Sequence, residues 1–250
     1  MKKKIAVTLC LTSMLLISSA SLAFASPEQN QNSNQHSKKV LYKADQISNL
    51  DSLIERAEKG ITDYKSDDST VESSETTLTS DSGKKGKFKV TKYRTAQLLE
   101  RALTPDNNIV ETFAVTAATE SKSNEDWDKT ISVRVYSTIY VERTSENGRD
   151  YWRLTSATGG FANSDPVVAV TNKVVRMGTT GLHGVTPVQQ SQTFNPPFDT
   201  FSYTAPSNWT SVDTAKSGSV ARDPVVGVTL ECKLSGYGSN WTLTPFSNNM

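Results

Sequence analysis

The sequence predicts a mainly β protein: an antiparallel β-sandwich, with a β-barrel as the alternative closure, preceded by a short helical and disordered N-terminal extension. Three observations carry that prediction. The segment "ISVRVYSTIYVER" alternates, with Ile131, Val133, Val135, Ile139 and Val141 on one side and Ser132, Arg134, Tyr136, Thr138, Tyr140 and Glu142 on the other. A period of two is that of a half-buried strand. The dipeptide Asn147-Gly148 follows, and both residue types tolerate the positive φ that a two-residue type I′ hairpin turn requires. Beyond it, Gly, Pro, Asn and Ser punctuate short apolar runs, and about seven or eight such strands suit a sandwich or barrel.

Taken in order, the chain opens "MKKKIAVTLCLTSMLLISSASLAFAS". Three lysines, an apolar run from Ile5 to Ile17 and small residues at Ala23 and Ala25 predict a secretory signal peptide over residues 1–25, cleaved after Ala25. That run is too short to be a comfortable membrane span, and no later segment is apolar enough to be one, so an exported product of a Gram-positive bacterium is expected. Without Lys2, Lys3 and Lys4 the remainder carries 24 basic and 26 acidic side chains, a net charge of −2. Such a near-neutral chain gives no broad electrostatic case for nucleic acid. It keeps one cysteine, Cys232, so the fold must hold without an internal disulfide.

Residues 26–39, rich in Gln, Asn and Ser, predict a disordered leader. Residues 40–64 predict a short helical segment. Leu50, Leu53, Ile54, Ala57 and Ile61 share one face, Asn49 or Ser48 caps the start and Gly60 marks the end. Residues 65–87 have almost no large apolar side chains and predict a flexible linker, because they bury too little surface to offset their ordering entropy. The sandwich domain is expected over residues 88–250. Within it "KFKVTKY" alternates like a strand, and "TAQLLERAL" from Thr95 predicts a second helix ending near Pro105.

The Asn147-Gly148 turn fixes a register. Glu146 then opposes Arg149, Val141 opposes Leu154, Glu142 opposes Arg153, Tyr151 opposes Thr144 and Trp152 opposes Arg143, so that apolar meets apolar and opposite charges meet. Further strands are expected at Val167–Val170, Val174–Met177, Thr200–Tyr203, Val225–Leu234 and Trp241–Phe246. The strings "DPVVAVT" from Asp165 and "DPVVGVT" from Asp223 read as one structural device used twice. Asp bonds nearby backbone, and Pro is tolerated at a strand's first residue.

Catalytic patterns are sparse. Only His36 and His183 exist, and neither a nucleophile elbow nor a zinc-type histidine pair occurs. Glu111, Glu120, Glu142 and Glu231 could serve a two-carboxylate glycosidase, but nothing selects a pair, and ion-paired roles are the simpler reading. "NEDWD", 124–128, groups three carboxylates without the spacing of a calcium loop. Tyr136 and Tyr140, with Tyr151 brought alongside by the hairpin, form the candidate ligand-binding set, since flat aromatics on an open sheet face stack against sugars or a protein partner. The plainer reading is cover by another segment. The basic run Lys84, Lys85, Lys87, Lys89, Lys92 and Arg94 either balances the acidic stretch beside it or contacts anionic wall polymers.

The stretches "YRTAQLLE", "ISVRVYSTIYVER", "DYWRLTSATGGF" and "SNWTLT" resemble a loose group of secreted proteins of Bacillus-like bacteria, from Tyr93 onward. The resemblance implies export and a β fold and supplies no active residues. The expectation is therefore a secreted, non-enzymatic extracellular or wall-associated protein, a binding module for a cell-wall glycan or another extracellular protein. No catalytic residue, cofactor, metal or nucleic acid is expected. The alternatives are a two-carboxylate carbohydrate hydrolase and an antimicrobial or toxin-like export.

Overall fold

A computed structural model describes residues 38–64, 69–83, 85–123, 132–213, 224–236, 238–243 and 245–250. Residues 1–37, which hold the predicted signal peptide and most of the predicted leader, lie outside the described residues, as does 124–128. Among the described residues the elements are β1 (Lys39–Lys43), α1 (Leu50–Glu58), β2 (Val71–Thr79), β3 (Lys85–Leu103), β4 (Ile109–Ser123), β5 (Ser132–Glu146), β6 (Arg149–Asn163), β7 (Ala169–His183), β8 (Thr186–Phe194), β9 (Thr200–Thr204), β10 (Val212–Asp213), β11 (Val225–Gly236), β12 (Ser239–Thr242) and β13 (Phe246–Asn249). The protein is thus mainly β, as its alternation predicts.

All strand pairs are antiparallel, in one hydrogen-bonded sheet ordered β1-β3-β4-β5-β6-β10-β7-β11-β12. β2 also pairs β3, β9 pairs β6, β8 pairs β7 and β13 pairs β11. The sheet does not close into a barrel. It folds over, so that β11 lies against β5 and β6, and β13 against β4 and β5. One core fills the space between, centred on Phe113, Val115, Ile139, Val141, Trp152, Leu154, Val175, Met177, Val228 and Leu230. The turn of β10 between β6 and β7 joins the two halves on one side, with Val212 opposite Trp152 and Asp213 opposite Leu182. On the other side the join is slighter: a bridge pairs Ser80 with Trp241, and the Asp81 amide donates to the Asn240 carbonyl at 3.0 Å.

The β5–β6 hairpin has the predicted register, including Glu146 opposite Arg149, Glu142 opposite Arg153 and Thr144 opposite Tyr151. Asn147 and Gly148 take φ of 51° and 76°, the left-handed values of a type I′ turn. A bulge beyond Val141 then shifts the pairing. Helix α1 starts at its Asn49 cap, whose side chain accepts from the Ser52 amide, and buries Leu53 and Ala57. Gly60 follows at φ 67°.

Five expectations are corrected. The strand expected over Trp241–Phe246 is two, β12 and β13, with Leu243 and Pro245 outside both. Residues 71–79, expected as part of a linker, form β2. Alternation places Thr76 and the buried Leu78 on the inner side, and Glu72 and Glu75 stand opposite Lys92 and Lys89 of β3; an edge strand needs to bury only one side of itself. "TAQLLERAL", expected as a helix, continues β3. A bulge at Leu99 inserts one residue, and the resulting break in parity imitates the three-to-four spacing of a helix. Lys39–Lys43, at the junction of the expected leader and helical segment, is strand β1. The two strands expected around Val167–Met177 are one strand, β7, which starts at Ala169 rather than at Asp165. Asp165 instead makes the turn before it, its carboxylate accepting from the Val167 amide at 2.9 Å. Strand β8 completes the set; its "VQQSQ" has no apolar alternation to reveal it.

Candidate functional site

The two halves fail to meet along the edge formed by β2 and β3, and the gap is a cleft. Its floor is apolar: Leu78 of β2, Phe88 and Val90 of β3, Val135 of β5, and Leu243 and Phe246. Alternation explains why these residues converge. On β3 the inward positions are Gly86, Phe88 and Val90, while Lys85, Lys87 and Lys89 face out. On β4 and β5 the inward rows run Thr119 opposite Val135 and Ser121 opposite Val133. Leu243 is held by its amide bond to the Cys232 carbonyl at 3.2 Å, and Phe246 opens β13. Phe88 in turn packs edge-on against Trp241, ring centroids 6.1 Å apart.

The cavity is about 220 Å³. Ser74 and Thr76 line its β2 wall, and Lys92 stands where it meets a second, more polar hollow of about 210 Å³ lined by Glu72, Tyr93, Arg94 and Ser247. Beside the first cavity Thr119 is only 8 % exposed, and its hydroxyl is buried with no hydrogen-bond partner among the described residues. Buried polar atoms are nearly always bonded to protein or to bound solvent. The Thr119 oxygen is closed off from the cavity, so the hydroxyls a bound molecule can reach are those of Ser74 and Thr76 on the β2 wall.

The predicted tyrosines are placed elsewhere and divided. Tyr136 and Tyr140 lie beneath the segment that carries α1: the Gln46 amide donates to the Tyr140 hydroxyl at 2.8 Å, and both rings line a hollow of about 160 Å³ with Leu50 and Leu53. Tyr151 sits toward the hairpin end, its ring 5.1 Å from that of His183. His183 closes β7, its Nδ1 3.0 Å from the Ser211 carbonyl. The plainer reading of Tyr136 and Tyr140, cover by another segment, is the one the contacts support.

The four candidate carboxylates are each held by arginine. Glu111 is clamped between Arg101 at 2.6 Å and Arg143 at 2.9 Å; Glu120 pairs with Arg134, Glu142 with Arg153 and Glu231 with Arg176. None of them lines the cleft. Among the described residues no three His, Cys, Asp or Glu side chains converge as metal ligands would, and no helix is long and apolar enough to cross a membrane.

Comparison with protein-family models, curated proteins and solved structures finds no match to this chain. The functional argument rests on the cleft itself. Sequence reasoning missed it because its walls come from β2, read as a linker, and from four other segments with no motif among them. The available signal was the Thr-Thr-Leu-Thr alternation of 76–79, which marks a strand with one inward apolar residue.

Proposed function

We propose that this chain is an exported protein of sandwich-like build that works by binding, and that its ligand site is the cleft between β2–β3 and β13. The observation that carries the reading is the cavity itself, an apolar floor of Phe88, Val90, Val135 and Phe246 below a β2 wall that bears the hydroxyls of Ser74 and Thr76. Apolar pockets with a few placed polar groups are the usual form of a small-molecule site. An apolar cavity of about 150 Å³ is enough to hold benzene, so this one takes an aromatic ring or short alkyl chain with a substituent. The hydroxyls of the β2 wall favour a substituent that hydrogen-bonds. The group recognised is accordingly a ring of the size of p-cresol, free or carried by a larger extracellular partner. The arginine-held carboxylates favour binding over the two-carboxylate hydrolase reading.

The test is calorimetric titration of the purified protein with p-cresol and with toluene. The p-cresol should bind about fivefold tighter, the worth of one hydrogen bond. The double variant Ser74→Ala, Thr76→Val should remove that preference, and Val90→Trp, which fills the cavity from β3, should abolish binding of both. Binding unaffected by Val90→Trp, or equal affinity for the two probes, would sink the proposal.

A further inference from the structure

Strand β3 presents a different surface on its other side. Lys85, Lys87 and Lys89 alternate with Gly86 and Phe88, so the three ammonium groups project from one face while Phe88 enters the core. All three lysines are exposed, and none has an ion-pair or hydrogen-bond partner among the described residues. Strand geometry spaces their Cβ atoms by about 6.7 Å, and pairing of all three residues to β2 fixes that spacing. The neighbours on the same face are Thr77 beside Lys87 and Thr79 beside Lys85, with Glu75 beside Lys89. On the β4 side the register sets Lys122 against Lys89. Among the described β2 neighbours a single carboxylate, that of Glu75, therefore stands at one end of a row of fixed cations flanked by hydroxyls.

We propose that this row is a docking surface for a linear phosphodiester polymer of the glycerol-phosphate kind, lying along β3. Lysine is a compact point charge suited to phosphate oxygens, and threonine hydroxyls supply further donors to the same oxygens. A rigid strand presents the charges in register with a repeating anion without ordering a loop. The one aromatic among them, Phe88, is buried in the core and leaves the lysine face of β3, whereas surfaces for single-stranded nucleic acid interleave aromatics on which bases stack. The surface is independent of the cleft, since the two occupy opposite faces of the same strand.

The experiment measures binding of the intact protein to purified, lipid-free poly(glycerol phosphate) across a salt series. The variant is K85Q/K87Q/K89Q, with K38Q/K39Q/K43Q as a control at a separate basic stretch. Wild type should show affinity falling linearly with salt on logarithmic axes. The β3 variant should bind at least tenfold more weakly, with a slope smaller by about 2, the share of three phosphate contacts on a flexible chain. The control should match wild type. Far-ultraviolet circular dichroism and p-cresol binding should be unchanged in the β3 variant, which separates this surface from the cleft and shows that the fold is intact. A wild-type slope near zero, or equal losses in both triple variants, would overturn the proposal. So would oligothymidylate of equal charge binding as tightly as the polymer, because that outcome assigns the surface to nucleic acid.

Discussion

Gly227 is the one residue by which "DPVVGVT" departs from "DPVVAVT", and its surroundings explain the difference. Strand β13 crosses it so closely that a Cβ would lie 2.7 Å from the Asn249 Cα and against the Asn248 carbonyl oxygen. The matching residue of the first string, Ala169, is exposed opposite Ser235 and carries its methyl group freely. The first string thus makes the turn into β7 and only its last three residues enter that strand, whereas β11 begins at Val225 of the second, whose Asp223 lies outside the described residues; of the two strands only β11 pairs with β13. Cys232 lies further along β11, buried as expected for an inert thiol. Burial pushes its pKa from 9.0 up to about 12, with Lys173 opposing only weakly. The folded thiol therefore keeps its proton where the unfolded one loses it. The contribution is complete below pH 9 and is lost as pH rises toward 12, at up to about 1.4 kcal/mol per pH unit. Urea unfolding of wild type and Cys232→Ala from pH 8 to 11 should show the gap between them narrow as pH climbs. A constant gap would mean that the thiol is not shielded.

At the level of elements, β13 is a short strand with a large structural role. Its Asn248 is 1 % exposed, and the Nδ2 donates to the Val115 carbonyl at 2.9 Å and the Ser137 carbonyl at 3.0 Å. It thereby ties β11's neighbour to β4 and β5 across the core. Asn248→Ala should cost about 2 kcal/mol in urea unfolding, because two buried carbonyls lose a donor. Gly227→Ala should cost about 3 kcal/mol by forcing β13 off β11. Both should weaken p-cresol binding, since Phe246 begins β13; full stability in either variant would contradict this docking. The same scale shows what sequence reasoning can reach. The β5–β6 hairpin was legible because turn chemistry at Asn147-Gly148 and alternation on both arms agree. The register of β3 was not, because the bulge at Leu99 breaks the period on which any pattern argument depends. Strand β2 was obscured by composition: Ser, Thr and Glu satisfy an edge strand as readily as a linker, and only pairing with the lysines of β3 decides between them.

Across the whole molecule, one folded-over sheet is joined firmly at β10 and slightly at the Ser80–Trp241 bridge, and the cleft opens beside the slighter join. That arrangement was beyond the sequence in physical terms. Leu78, Val90, Thr119, Val135, Leu243 and Phe246 come from five separate segments, and all but Leu243, which follows β12, are ordinary inward positions of their own strands. Their convergence on one cavity is a property of the assembly rather than of any local pattern. The tyrosines that drew attention in the sequence, by contrast, are residues whose local pattern is visible but whose cover by the α1 segment is not. The most direct measurement of the central claim is methyl-resolved NMR of the protein titrated with p-cresol. The account predicts saturable shifts at Leu78, Val90, Thr119, Val135 and Leu243, with the Leu50 and Leu53 methyls beside Tyr136 and Tyr140 unmoved. Shifts confined to Leu50 and Leu53, or none at the cleft, would contradict it.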